Sequence, residues 1–394
     1  MTSAARVRLL FVAASTVFFT RAVLYSTWQA RGPEVQDFLH LNNAQMGLLA
    51  TLYPVGNLVG LIYANYLAKR FGSTRVTIFA FAIGAASMAS LGITISSGWL
   101  IPTCLLILTL GVPMGVIDFV GNFEGSAVDR QSKHSLFPVI HAIFGVGMTL
   151  AAGIATVAVA FKVPLLMNYF FIAMLALLPS IWAGLNFERR KQSIDSPEAK
   201  LEHRKISREV WSEHRTRLVI LIAIGFIVAE TAGGTWVPIA LAHSGYPAAE
   251  ATGAYGVLWV GIMAGRAVGG LVVDRLGLAR TVLISGVMGF AGVVLFIFND
   301  QLHLLYLALA LWALGISNGF PLSINSFSDD SAHSAARINN IMTGSFIVNF
   351  SLAPLIGLVG QALGLSYALV IPALFLALGV SLNRVLRPAA PRAR

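Results

Sequence analysis

Ionisable side chains interrupt the long apolar runs of this 394-residue sequence at Arg21, Asp118, Glu124, His141, Glu230 and Arg266. A charge held in mid-bilayer costs at least ~2.5–3.5 kcal/mol on insertion scales, so each such residue is a functional candidate by default. Asp118 and Glu230 are candidate proton carriers. Burial and a neighbouring guanidinium push a carboxyl's proton affinity in opposite directions, so an arriving solute could switch its protonation. The competing roles for both acids are a fixed ion pair or a hydrogen bond to solute. Arg21 offers a planar fork suited to a carboxylate, a phosphate or hydroxyl groups. Equally, it could pair permanently with Asp118 or Glu230, and both readings stand. Glu124 reads first as part of a cytoplasmic charge network with the 129–133 loop and second as a proton site. His141 titrates near neutral pH and is a candidate relay, against a structural hydrogen-bonding role. Arg266 reads as a structural or conformational residue bonded to nearby backbone or acids.

Neutral groups complete the candidate solute-binding set: Asn57, Asn318, Asn325, Trp28 and Trp236, with Tyr25, Tyr53, Tyr255 and Asn349 as weaker members. The two tryptophans could stack on a solute or close a gate, or belong to an interfacial aromatic belt. Enzyme signatures are missing: there is no Walker loop, no His-Glu-x-x-His and no Gly-x-Ser-x-Gly. The single cysteine, Cys104, excludes an intrachain disulfide and a Cys-rich metal site. No cofactor, metal or enzymatic activity is expected. Without an ATP site, any driving force must come from an ion gradient or from the solute's own gradient.

These residues need membrane-spanning helices to position them. Only 11% of residues are charged and 57% are hydrophobic, against roughly 25% charged in a soluble domain. A span takes about 20 apolar residues, which leaves room for about twelve. The expected spans are 7–30, 44–68, 74–96, 100–127, 136–160, 164–187, 216–242, 248–273, 280–298, 303–326, 338–361 and 365–386. The start of the chain reads as a retained first helix rather than a signal peptide. All but four of the 27 Lys and Arg fall on one side of this topology; Arg31 and Lys162 sit at the opposite surface, and Arg21 and Arg266 within spans. This positive-inside bias puts both termini in the cytoplasm. It also explains the net charge of +10 without a nucleic-acid partner.

The sequence repeats itself. Thr27-Trp28 has a partner in Thr235-Trp236, and Gly111/Gly115 in Gly315/Gly319. Lys69-Arg70-Phe71-Gly72-Ser73-Thr74-Arg75 resembles Asp274-Arg275-Leu276-Gly277-Leu278-Ala279-Arg280. The offsets of 208, 204 and 205 residues fit one register. Two parallel six-helix halves are expected, 1–187 and 216–394, joined by a polar linker, 188–215, with a surface helix around Ile206 to Trp211.

Gly270 to Arg280 is similar to the loop signature G-x-x-x-D-R-x-G-x-x-R of the major facilitator superfamily. It carries Gly270, Asp274, Arg275, Gly277 and Arg280 in place. The first copy, with Lys69, Arg70, Gly72 and Arg75, has Lys69 where the family has Asp. Trp28 to Pro33, Leu41 to Gly47, Asp118 to Gly147, Glu230 to Trp236 and Gly265-Arg266 resemble a bacterial permease branch near the fucose–proton symporters. Those symporters carry an acid in the first span as well as the fourth; here the first span offers Arg21 instead. The resemblance implies an all-α fold of 12 transmembrane helices in two pseudo-symmetric halves. Spans one, four, seven and ten would line a central cavity, and the two signature loops would latch one state. It further implies a monomeric, multi-pass protein of the bacterial inner membrane. Such a protein would move a small polar solute, sugar-like or carboxylate-bearing, with protons by alternating access. A proton-driven efflux pump and a non-transporting sensor are the alternatives.

Overall fold

The computed structural model describes residues 3–132, 136–187, 197–299, 301–327 and 332–386. Lys133, the head of the linker at 188–196 and the basic tail beyond residue 386 lie outside them. The described residues are helical, with no strand among them. Among the described residues, ten helical segments are long and apolar enough to cross a membrane, Leu302–Asn325 counted as one, and Leu365–Ser381 is a shorter apolar segment. Ile101, Phe161 and Leu178 are more than two-thirds exposed. An exterior this apolar is stable only against hydrocarbon.

In chain order come α1 (Ser3–Ala30), α2 (Gly32–Phe38), α3 (Asn43–Ser96), α4 (Leu100–Gln131), α5 (Phe137–Ala160) and α6 (Leu165–Asn186). Then follow α7 (Pro197–Ser212), α8 (His214–His243), α9 (Ala248–Leu276), α10 (Leu278–Ile297), α11 (Leu302–Ile316) and α12 (Gly319–Asn325). The chain closes with α13 (Ala332–Leu363), α14 (Leu365–Ala368), α15 (Val370–Ser381) and a 3₁₀ turn, Asn383–Leu386. These helices gather into two compact units, Met1–Ser193 with Val237–Trp259, and Ile194–Trp236 with Val260–Arg394.

In the first unit, α3 merges two expected spans. Its 54 residues would run about 80 Å if straight, more than twice the ~30 Å hydrocarbon core. The break is Gly72, whose φ of 80° and ψ of 153° are left-handed and extended, a conformation cheap only for glycine. A capping box starts the helix: Asn42 accepts from the Gln45 N–H, and Gln45 accepts from the Asn42 N–H. Before Gly72, α3 runs parallel to α4, with Gly56 on Leu108 and Gly111, and Gly60 on Val112. After it, the direction reverses, since Gly84 meets Met114 while Thr103 Oγ1 donates to Thr94 Oγ1 at 3.0 Å. A Cβ at Gly111 or Gly115 would lie within 2.2 Å of a backbone oxygen. The close approach therefore depends on small residues. Helix α1 is tied to α5 by Ser26 Oγ donating to the Met148 carbonyl at 2.8 Å. Ser180 Oγ of α6 donates to Thr20 Oγ1 at 2.9 Å.

In the second unit, Gly277 repeats the break, with φ 74° and ψ 161° between α9 and α10. Gly315 presses on Gly289 and Ser285 of α10, and Gly319 on the Phe226 ring. The paired glycines thus share a sequence register but not a partner: Gly111 meets the arm of α3 before its break, whereas α10 follows the equivalent break. The expected tenth span is two helices, α11 and α12, interrupted at Ser317–Asn318. Gly265 and Gly269 bring α9 close to this break, where a Cβ would sit 2.2 Å from Ser317 Oγ and 2.2 Å from Asn318 Oδ1 respectively. Gly270 of the signature faces open space. The linker helix is α7; it packs on α13 with Val210 buried and Ser207 Oγ donating to Asn340 Oδ1 at 2.9 Å.

Candidate functional site

Within each unit an ion pair joins two of the apolar helices. In the first, Arg21 of α1 donates through Nη2 to Asp118 Oδ2 of α4. The guanidinium also lies over the Phe144 ring of α5, 5.2 Å from its centroid, a cation–π contact. Asn57 and Tyr53 of α3 lie beside the pair. Asn57 is also within hydrogen-bonding reach of the Asp118 carboxyl. Two further donors here are buried without a hydrogen-bond partner, Arg21 Nε and Tyr53 Oη. Buried polar groups are nearly always satisfied, so two orphans beside one ion pair mark a place for incoming acceptors. Tyr53 stacks at 4.9 Å on Tyr25, whose hydroxyl accepts from Gln29 Nε2 at 2.7 Å.

His141 is exposed on α5, its ring 4.7 Å from Phe18. Glu124 is buried, only 2% exposed. Trp28 and Trp236 are buried too, at 3% and 1% exposure, which removes them from a lipid-facing belt. Arg31, expected at the surface, is 1% exposed. It is paired with Glu34 and donates to the Val163 carbonyl at 3.2 Å.

In the second unit, Arg266 of α9 pairs with Glu230 of α8. Its Nη2 donates to Oε2 at 2.8 Å and to Oε1 at 3.0 Å. Its Nε donates to the Ser317 carbonyl at 3.1 Å. That carbonyl lacks its helical donor because residue 321, four positions on, is a proline, and an unpaired carbonyl at membrane depth needs such a substitute. Asn318 Nδ2 donates to the Gly265 carbonyl at 2.7 Å and to Ser317 Oγ at 2.9 Å. Its amide is committed to the α9–α11 joint. Asn325, the last residue of α12, is exposed. The sequence left Arg21's partner open between Asp118 and Glu230; the structure assigns Asp118 to Arg21 and Glu230 to Arg266.

The loop candidates divide. Arg70 is held locally by Tyr66 Oη at 2.6 Å and by the Phe71 ring. Arg75, Asp274, Arg275 and Arg280 are exposed, and Lys69 is half-buried.

A cluster not foreseen lies where α7 meets α8. Arg337 of α13 grips Glu213 with two bonds of 2.8 Å, and Thr216 Oγ1 donates to the same carboxylate at 2.7 Å. The Phe327 ring lies under both Arg215 and Arg337, 5.0 and 5.3 Å from their guanidinium carbons. The Arg337 bonds hold the Glu213 carboxyl below the usual carboxylate range. No sequence motif marks this cluster, since its members are far apart and each reads singly as a loop charge. The α9 joint did leave a signal, the Gly261, Gly265, Gly269 ladder at four-residue spacing.

The sequence profile described as Major Facilitator Superfamily matches residues 10–346. An uncharacterised transporter, y4wD, of Sinorhizobium fredii (strain NBRC 101917 / NGR234) is 25% identical over 377 residues, 94% of this chain and 96% of its own. Among solved structures, a variant of the nucleoside transporter NupG aligns with a TM-score of 0.76 at 14% identity, covering 96% of this chain and 98% of that one. The E. coli fucose:proton symporter FucP aligns at 0.65 and 17% identity, with the same coverage.

Proposed function

Because this chain belongs to the Major Facilitator Superfamily, a family of multi-pass membrane transporters, we propose that it moves a small polar solute together with protons by alternating access. The observation that carries this reading is the pair of orphan donors beside the Arg21–Asp118 pair. A solute rich in oxygen acceptors would satisfy Arg21 Nε and Tyr53 Oη at once, with Asn57 next to them on Asp118. Hydroxylated or carboxylate-bearing compounds fit; a hydrophobic cation would leave both donors unmet. Asp118 carries the proton in this scheme. When protonated it gives up its ion pair, and the freed Arg21 turns to the solute. When solute leaves, Arg21 returns and the proton is expelled. Glu230 with Arg266 forms the second titratable pair and holds the interrupted α11–α12 joint. His141 and Glu124 remain candidate relays flanking Asp118, and Trp28 and Trp236 candidate gates.

The proposed topology has twelve crossings with both termini cytoplasmic. Here α3 supplies two crossings on either side of Gly72, α11 with α12 supplies one, and α14 with α15 supplies the last. The proposed halves are 1–187 and 216–394, and the proposed setting is a bacterial inner membrane, as a monomer. The signature loops around Gly72 and Gly277 would stabilise one state from the cytoplasmic side.

The test is thermal stabilisation of purified protein by a library of polar solutes at mildly acidic and neutral pH, followed by flux in proteoliposomes under a pH gradient. Stabilisation by a hydroxylated or carboxylate solute, with a pH dependence lost in Asp118→Asn, supports the reading. Stabilisation by lipophilic cations alone overturns it in favour of efflux. A pH dependence that survives Asp118→Asn and vanishes in Glu230→Gln moves the proton to the second unit.

A further inference from the structure

The first unit carries a groove on its exterior that shares Arg75 with the first signature loop but takes no part in the proposed solute site. It measures about 610 Å³ and lies between the two arms of α3 and the middle of α4, within the ~300–1,000 Å³ typical of small-molecule sites. One wall is Arg75, Phe79 and Ile83; the other is Leu108, Val112 and Val116. Both sets are spaced four residues apart, so each forms one stripe along its helix. At 1.5 Å per residue the trough is about 12 Å long. Phe79 and Ile83 are 66% and 49% exposed, forming a rim open to the side. Val116 and Asp118 are two positions apart, about 200° round the helix, so the groove opens away from the ion pair.

Its chemistry is asymmetric. Arg75 is the charged group in an otherwise almost wholly apolar lining. It lies three residues past Gly72, at the end of the trough where the arms of α3 join. Among the described residues Arg75 makes no ion pair or hydrogen bond, whereas Arg70 across the turn is tied to Tyr66. A free guanidinium at the mouth of an apolar trough, on a face that must be covered by hydrocarbon, matches a phosphate followed by an alkyl chain. We propose that this groove is a binding site for an anionic phospholipid, one acyl chain lying between α3 and α4 and the headgroup on Arg75.

The second unit supplies an internal control. Arg280 follows Gly277 as Arg75 follows Gly72, with the same backbone turn between, and it does not line this groove. The experiment is native mass spectrometry of the full chain in detergent, titrated with phosphatidylglycerol or phosphatidylcholine. Variants are Arg75→Gln, Arg280→Gln and Thr109→Phe; Thr109 is an exposed lining residue whose enlargement fills the trough. The expected result is preferential retention of phosphatidylglycerol, reduced about fivefold in Arg75→Gln, abolished in Thr109→Phe and unchanged in Arg280→Gln. Equal retention of the two lipids overturns the proposal. So does equal loss in Arg75→Gln and Arg280→Gln, or full retention in Thr109→Phe.

Discussion

Gly72 and Gly277, 205 positions apart, hold nearly the same left-handed backbone, φ 80° with ψ 153° and φ 74° with ψ 161°. Neither has any atom within 4 Å of where a Cβ would stand. Space therefore does not select glycine here; backbone conformation does. Gly72→Ala and Gly277→Ala should each cost about 1–2 kcal/mol from that strain alone. Gly153→Ala, equally uncrowded but inside α5, should be neutral or stabilising by up to ~1 kcal/mol. Thermal unfolding of the three variants in one detergent separates conformation from crowding. Equal effects at Gly72 and Gly153 would refute the strain account.

The Arg21–Asp118 pair is 15% and 23% exposed at its side chains, so each charge depends on the other. Breaking a buried pair from one side costs up to ~3–5 kcal/mol, because the abandoned charge stays desolvated. Arg21→Gln and Asp118→Asn should each destabilise by roughly 2–4 kcal/mol, and the double variant by less than their sum. A double-mutant cycle on thermal unfolding measures this. Additive losses would mean that the pair is not coupled.

The long apolar helices were legible in the sequence, because apolar run length is a strong, additive signal. The ionisable residues in the apolar runs were legible for the same reason. Which acid Arg21 meets was not, since span membership does not fix rotation about a helix axis. The interruption at Ser317–Asn318 was also hidden. Pro321 withholds the helical donor from the Ser317 carbonyl, but the joint is held by Arg266 and Asn318 reaching from or to α9, contacts made only after folding.

Arg266 serves Glu230 through Nη2 and the Ser317 carbonyl through Nε. Lysine keeps the charge but cannot make both contacts, since its ammonium is a single point on a flexible stem. Arg266→Lys should keep the Glu230 pair, leave the carbonyl at the α11 break unmet, and cost about 1–3 kcal/mol. Faster hydrogen exchange at α12 in Arg266→Lys than in the natural chain is the expected signature. Exchange unchanged there would show that the joint does not depend on the fork.

Glu213 links stability to pH at the α7–α8 junction. The Arg337 bonds and the Thr216 hydroxyl make its carboxyl a stronger acid in the folded chain than in the unfolded one. The unfolded state therefore binds the proton first, and folding gains from Glu213 above the usual carboxylate range. That gain is lost as pH falls through the depressed folded value. Glu213 is about one-third exposed, which limits its worth to about 1 kcal/mol. Glu213→Gln should lower the unfolding temperature at neutral pH and flatten the loss of stability on acidification. At a pH well below the carboxylate range the two proteins should converge. Curves that stay parallel down to strong acid would show that Arg337 gains nothing from this carboxylate's charge.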